Sequence, residues 1–219
     1  MHKMGRKEES AYSYLQSALR TFEENTMSTF HEKILDEFHN NAKRVFKKTS
    51  ENTLDRICSF ILESKKIYVL GIGHSGMFGR ILAMKLNHVG LCAYSVFDEI
   101  NPPFNKNDLF IAISQSGETD TLISLARKAK KLGGKVMVIT TNTGSTLAGL
   151  SDIIFEIKDV AEDMVFTTLT ALGGKEHQNL LGCLFGFNIY VLFYAVVLKI
   201  AEKRGETADS IDNRHANLQ

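Results

Sequence analysis

One short polar loop, Ser114-Gln115-Ser116-Gly117-Glu118-Thr119, carries three hydroxyls and a glycine between the apolar run Leu109 to Ile113 and a helical pattern. That set suits a doubly charged oxyanion: hydroxyl donors converge with the unpaired backbone N–H groups of a helix start. No lysine is required, because the helix dipole and aligned amides supply the positive potential. A helix cap needs one hydroxyl and three are present. A second loop, Gly71-Ile72-Gly73-His74-Ser75-Gly76, follows the apolar run Ile67 to Leu70. Its glycines allow a ligand close to the backbone. It also satisfies G-x-G-x-x-G, so a dinucleotide has to be weighed. A dinucleotide site calls for an acidic residue at the end of the second strand; Asp98 is the nearest, and the chain there runs into Pro102-Pro103. The phosphate of a small ligand is the better reading.

These loops must be positioned by the elements around them. From Lys66 onward, short β-branched runs alternate with helical patterns. The pattern predicts strands at Ile67 to Leu70, Cys92 to Val96, Leu109 to Ile113, Val136 to Thr140 and Ile153 to Ile157. Helices are predicted at Met77 to Val89, Thr119 to Leu132 and Ser145 to Leu150. Such alternation gives an α/β fold: a doubly wound five-stranded parallel sheet in a three-layer αβα sandwich, with N- and C-terminal helices. Ligands of such sheets bind beyond the carboxyl ends of the strands, where both loops fall. Ahead of the sheet, a weak helical segment surrounds Tyr12, Leu15, Leu19 and Phe22. A stronger one carries Phe30, Ile34, Leu35, Phe38, Ala42, Val45 and Phe46, and a third buries Leu54, Ile57, Cys58, Ile61 and Leu62 behind a cap at Ser50 or Asn52. We expect residues 1–27 to be a partly helical extension and 28–219 a single domain.

With 219 residues, 44% of them hydrophobic, the chain can bury one sizeable core. A net charge of +1 supplies no global field for nucleic acid or an anionic membrane, so an anion must be caught locally. The first fifty residues hold nine Lys and Arg against seven Asp and Glu, with no basic stripe. Cys58, Cys92 and Cys183 are odd in number and scattered, which points to reduced core thiols and, with a polar N-terminus, to a cytoplasmic protein. His31, His39 and His88 are not spaced with acids or cysteines as a metal set would be, so no metal is expected. From Leu180 to Leu198 there are nineteen residues without a formal charge, long enough to span a membrane. Gly182, Gly186, Asn188, Tyr190 and Tyr194 interrupt the run, which favours a buried helix.

The pair GIGHS and SQSGET, about forty residues apart, resembles the signature of the SIS (sugar isomerase) domain family. The tail Arg214-His215-Ala216-Asn217-Leu218 resembles the R-H-x-N-L ending of the 6-phospho-3-hexuloisomerases within it. That resemblance implies a cofactor-independent conversion of a 3-hexulose 6-phosphate to fructose 6-phosphate by homodimers or homotetramers. It implies that Ser75, Ser114, Ser116 and Thr119 hold the phosphate while Gly73, His74, Gln115, Gly117 and Glu118 line the sugar. It also implies a glutamate base just after a G-x-x-F segment. Laid on Gly182-Cys183-Leu184-Phe185, that position falls on Gly186.

Moving a carbonyl by one carbon requires a base that takes and returns a proton across an enediol. Substitute candidates are His215, from the matched tail and reaching the substrate across a subunit interface, and Glu176 and His177, with Asp98 or Glu99 behind them. Gly182 and Gly186, four residues apart, also have a structural reading: they let two helices approach closely. Two other functions compete with the isomerase. One is a non-catalytic phosphosugar-binding or regulatory protein, which the vacancy at Gly186 favours; the other is a dinucleotide-dependent enzyme.

Overall fold

The computed structural model describes residues 30–47, 49–158 and 181–217. The chain divides into two compact units, Met1–Glu37 and Phe38–Gln219. Of the first, the described residues are the opening turns of α1 (Phe30–Lys47), and the segment around Tyr12 lies outside the described residues. After α1 come α2 (Glu51–Leu62), β1 (Ile67–Gly71), α3 (His74–His88), β2 (Ala93–Ser95), β3 (Leu109–Ile113) and α4 (Asp120–Lys131). Then follow β4 (Lys135–Thr140), α5 (Thr146–Gly149), β5 (Ile153–Glu156), α6 (Leu181–Arg204) and α7 (Ala208–Asp212).

The five strands form one parallel sheet in the order β2-β1-β3-β4-β5. Alternate residues of a strand point to opposite faces, and here both faces are covered, so β1 and β3 are apolar at nearly every position. Ile67, Val69, Ile111, Ile113, Met137 and Ile139 enter one core layer with α2, α3 and α6. Tyr68, Leu70, Phe110, Ala112, Val136 and Val138 enter the other, under Leu122, Ala126 and Ala129 of α4 and Leu147 of α5. The expected three-layer sandwich is therefore realised, and Ser50 is the cap of α2, its Oγ accepting from Thr53 N–H.

Two expectations need correction. Cys92 is exposed at the entry to β2 and is not a core thiol, whereas Cys58 is buried. Helix α3 begins at His74, three residues before the predicted Met77, because Gly73 takes a positive φ of 59° and turns the chain straight into the helix. His74 and Ser75 thus stand in a helical first turn.

Within the apolar run, Leu184–Arg204 is long and apolar enough to cross a membrane by length and composition. Its Phe185, Ile189, Leu192, Phe193, Val196 and Ile200 are instead buried in the core layer that α2 and α3 share. Asn188 is fully buried and donates through Nδ2 to Asn41 Oδ1 of α1 at 2.6 Å. A polar side chain locked to a neighbouring helix and a face filled by core residues make α6 a core helix of this fold.

Candidate functional site

Between β1 and β3 the strand order changes direction: β1 leads outward to β2 and β3 leads the other way to β4. Residues Gly71 and Ile113 are register partners across this boundary. The two polar loops, distant in sequence, therefore leave the sheet from adjacent strand ends, about 5 Å apart. Such a switch point is where an open parallel sheet holds ligands. A cleft of about 490 Å³ opens there, lined by Ile72, Ser75, Ile113, Ser114, Gln115, Ser116, Thr119 and Thr141.

The loop after β3 is held by its own polar groups. Ser114 Oγ accepts from Gly117 N–H at 3.1 Å and lies 3.1 Å from Thr119 Oγ1; Ser116 Oγ accepts from Glu118 N–H at 3.2 Å. The Gln115 carbonyl takes three bonds, from Thr140 Oγ1, Thr141 Oγ1 and Thr141 N–H. Asn142 Nδ2 donates to the Ser116 carbonyl at 3.3 Å. Gly117 has φ 71°, and a Cβ there would collide with Ser145 Oγ, so this turn packs directly on the cap of α5.

Two helices point their N-termini at the cleft, and neither is capped by a side chain. Gly73 precedes α3 and has no side chain to offer; Thr119 precedes α4 and makes no capping bond. By contrast, Ser50, Ser145 and Thr207 all cap their helices through their side chains. Unpaired amides at two converging helix starts, ringed by hydroxyls, form a cup for an anion. The serines are not spent on capping.

The predicted site residues separate into those the fold brings together and those it does not. Ser75, Ser114, Gln115, Ser116 and Thr119 share the cleft, with Gly73 and Gly117 shaping its turns. Glu118 is committed elsewhere: its Oε1 accepts from Thr146 N–H at 2.8 Å, and that bond holds its carboxyl below the usual range. Asp98 pairs with Arg80 at 3.2 Å on the β2 side, beside a separate hollow lined by Gly73, Met77, Arg80 and Phe97. Glu176 and His177 lie outside the described residues.

His215 is at the other end of α3. Its ring lies 3.9 Å from that of His88, tilted by 40°, and His88 is the last residue of the helix, roughly 20 Å along the axis from the cup. Burial first, then His215 and Lys85, hold the His88 imidazole below its ordinary value. Arg214 beside it donates to the His88 carbonyl at 3.0 Å and to Glu206 at 2.7 Å. Within one chain, this tail ties down the C-terminus of α3 and does not reach the cup.

Gly186 is the position on which the resemblance lays a glutamate. A Cβ there would stand 2.5 Å from Phe78 Cε2 and 2.7 Å from His74 Cε1, so side chains of α3 already fill the space. The close-approach reading of Gly186 agrees with this contact between α3 and α6. Thr140, Thr141, Asn142 and Ser145, which brace the cup from the loop after β4, escaped the sequence reading. Their signal was available: Thr140-Thr141-Asn142-Thr143-Gly144-Ser145 is another polar run at the carboxyl end of a strand.

Comparison with known proteins agrees with this geometry. The model of the family described as SIS domain matches residues 60–173, which span both loops. A protein of Bacillus subtilis named 3-hexulose-6-phosphate isomerase is 35% identical over 174 residues, covering 78% of this chain and 89% of the relative. One of the same name from Methylomonas aminofaciens is 30% identical over 175 residues, covering 80% and 92%. Among solved structures, a Methanococcus jannaschii protein, described as one whose structure infers a 3-hexulose-6-phosphate isomerase function, superposes with a TM-score of 0.69 at 29% identity. That superposition covers 85% of this chain and 99% of the other. With the signature loops on register-paired strand ends and the family model spanning them both, the chain belongs to the SIS domain family.

Proposed function

We propose that this chain is a soluble sugar-phosphate isomerase that converts a 3-hexulose 6-phosphate to fructose 6-phosphate by enediol proton transfer, without a cofactor. The observation that carries the proposal is the meeting of two uncapped helix N-termini with Ser75, Ser114, Ser116 and Thr119 at the switch point of the sheet. A phosphate dianion complements that cup in charge and in its need for donors. The identity to relatives named 3-hexulose-6-phosphate isomerase supports the choice of sugar. In this reading Ser75, Ser114, Ser116 and Thr119 grip the phosphate. Gly73, His74, Gln115 and Gly117 border the sugar, Glu118 stands behind them bonded to Thr146 N–H, and no metal takes part. His215 assists ring opening from a second subunit, with Glu176 and His177 as further acid–base groups. The protein works in the cytoplasm as a homodimer or homotetramer. Residues 28–219 form the SIS domain, with 1–27 as an extension.

The test is a coupled assay across a panel of hexulose and pentulose phosphates, run beside thermal shifts with fructose 6-phosphate and with NAD. Turnover of a hexulose phosphate and stabilisation by fructose 6-phosphate alone are expected. Ser116→Ala should raise KM about tenfold or more, since a hydrogen bond to a charged group contributes about 1.5–3 kcal/mol. Neither turnover nor stabilisation by any sugar phosphate would remove the proposal.

A further inference from the structure

Building on the isomerase reading, we propose that His74 is the base that carries the substrate's carbon-bound proton, held in place by the glycine at position 186. The reaction needs a proton acceptor beside the phosphate cup, and two of the described carboxylates near it are otherwise engaged. Glu118 is bonded to Thr146 N–H and Asp98 is paired with Arg80. Asp120 opens α4, the same helix start that holds the phosphate in this reading, which sets two negative charges close together.

His74 differs from all of these. It is the first residue of α3 and the immediate neighbour of Ser75, which lines the cup. Successive helix residues point about 100° apart, so Ser75 lines the cup while the exposed His74 imidazole stands to its side, and a ligand gripped at Ser75 meets the ring where its carbon chain extends toward α6. The ring packs edge-on against Phe78 at 4.9 Å between centroids and lies over the bare backbone of α6 at Gly186. Its nitrogens make no hydrogen bond to another described residue. Any side chain at position 186 would occupy the ring's place, so the glycine of one helix fixes the histidine of another. Packed aromatic and backbone walls set the ring's position while its nitrogens stay available to a ligand.

The neutral imidazole takes the proton from C2 of the 3-hexulose; the C–H electron pair becomes the C2–C3 double bond, and the carbonyl π pair moves to O3. The hydroxyl proton passes from O2 to O3. The C2–C3 π pair then takes the proton from the imidazolium at C3 while a lone pair on O2 closes the C2 carbonyl. One proton has moved from C2 to C3 and another from O2 to O3.

The experiment compares the full-length protein with His74→Ala and His74→Gln, using fructose 6-phosphate in D2O. Turnover, deuterium entry at carbon by NMR and ligand-induced thermal shift are each recorded. General-base catalysis is worth about 10²–10⁴-fold. We expect both variants to lose at least about 100-fold in kcat and in deuterium entry, with KM changed less than about threefold and the thermal shift kept. Added imidazole should restore His74→Ala at least about tenfold and leave His74→Gln, whose side chain fills the space, unchanged. Variants that keep wild-type kcat, or a loss that imidazole does not mend, would overturn the assignment while the isomerase reading stands. Binding without turnover or deuterium entry in the wild type would overturn the assignment and the isomerase together, leaving phosphosugar binding. Absence of binding would remove the reading of the cup as well.

Discussion

At the residue scale, two glycines decide what the cup can be, for different reasons. Gly117 sits at φ 71° with its missing Cβ against Ser145 Oγ. A left-handed conformation costs a substituted residue about 1–2 kcal/mol before any clash is counted. Gly117→Ala must also separate the loop from α5. It is expected to lower Tm by several degrees and weaken fructose 6-phosphate binding at least about tenfold, measured by thermal melting and calorimetry. Gly186 has a negative φ and is governed by space alone. A carboxylate there looks from the sequence like the restoration of a lost base. The structure predicts the reverse: Gly186→Glu displaces the His74 and Phe78 rings, so kcat should fall at least about tenfold by the coupled assay. A rise in kcat would mean that the space yields easily and that the carboxylate serves.

At the element scale, the depressed Glu206 carboxyl reports on how the tail is fixed. Arg214, Ser210 and Arg204 hold it at about 2, against an ordinary 4.5, and its side chain is only 7% exposed. A carboxyl whose pKa is lowered by folding adds stability that is complete above the unfolded value and fades as pH falls toward the folded one. Glu206→Gln should therefore melt a few degrees below wild type at pH 7, and the gap should close between pH 4.5 and about 2. A gap independent of pH would mean that packing, not charge, fastens the tail. The same elements show what a sequence discloses. Strands β1, β3 and β4 were legible because a sheet covered on both faces demands unbroken apolar runs, and Ser114 to Thr119 because three hydroxyls at a helix start exceed the one that a cap needs. The start of α3 was not, because a positive φ at Gly73 lets a helix begin where punctuation residues suggest a loop. The fate of Glu118 and the filling of Gly186 depend on Thr146, His74 and Phe78, whose proximity only the folded chain creates.

At the scale of the whole molecule, the geometry separates the two histidines of the proposed mechanism. His74 opens α3 next to Ser75 of the cup, and His215 is about 20 Å away, at the far end of that helix. No side-chain motion spans that distance, so His215 can serve a cup only if a second copy brings it there. On α6, Tyr190, Tyr194 and Leu198 are exposed at four-residue spacing, and Tyr190 borders Phe78, which in turn touches His74. An apolar stripe running to the edge of the site suits a symmetric contact between copies. If sites are composite, mixing His74→Ala with His215→Ala subunits regenerates one intact site in each mixed dimer. Random reassortment makes about half the dimers mixed, so activity should recover to roughly a quarter of wild type, although each variant alone is inactive. Subunits exchanged under mild denaturant and assayed after refolding give the answer. Recovery to that level places the His215 imidazole in the partner's cup. No recovery, or a His215→Ala variant as active as wild type, leaves the tail as the clamp on α3 that Arg214 and Glu206 already make it.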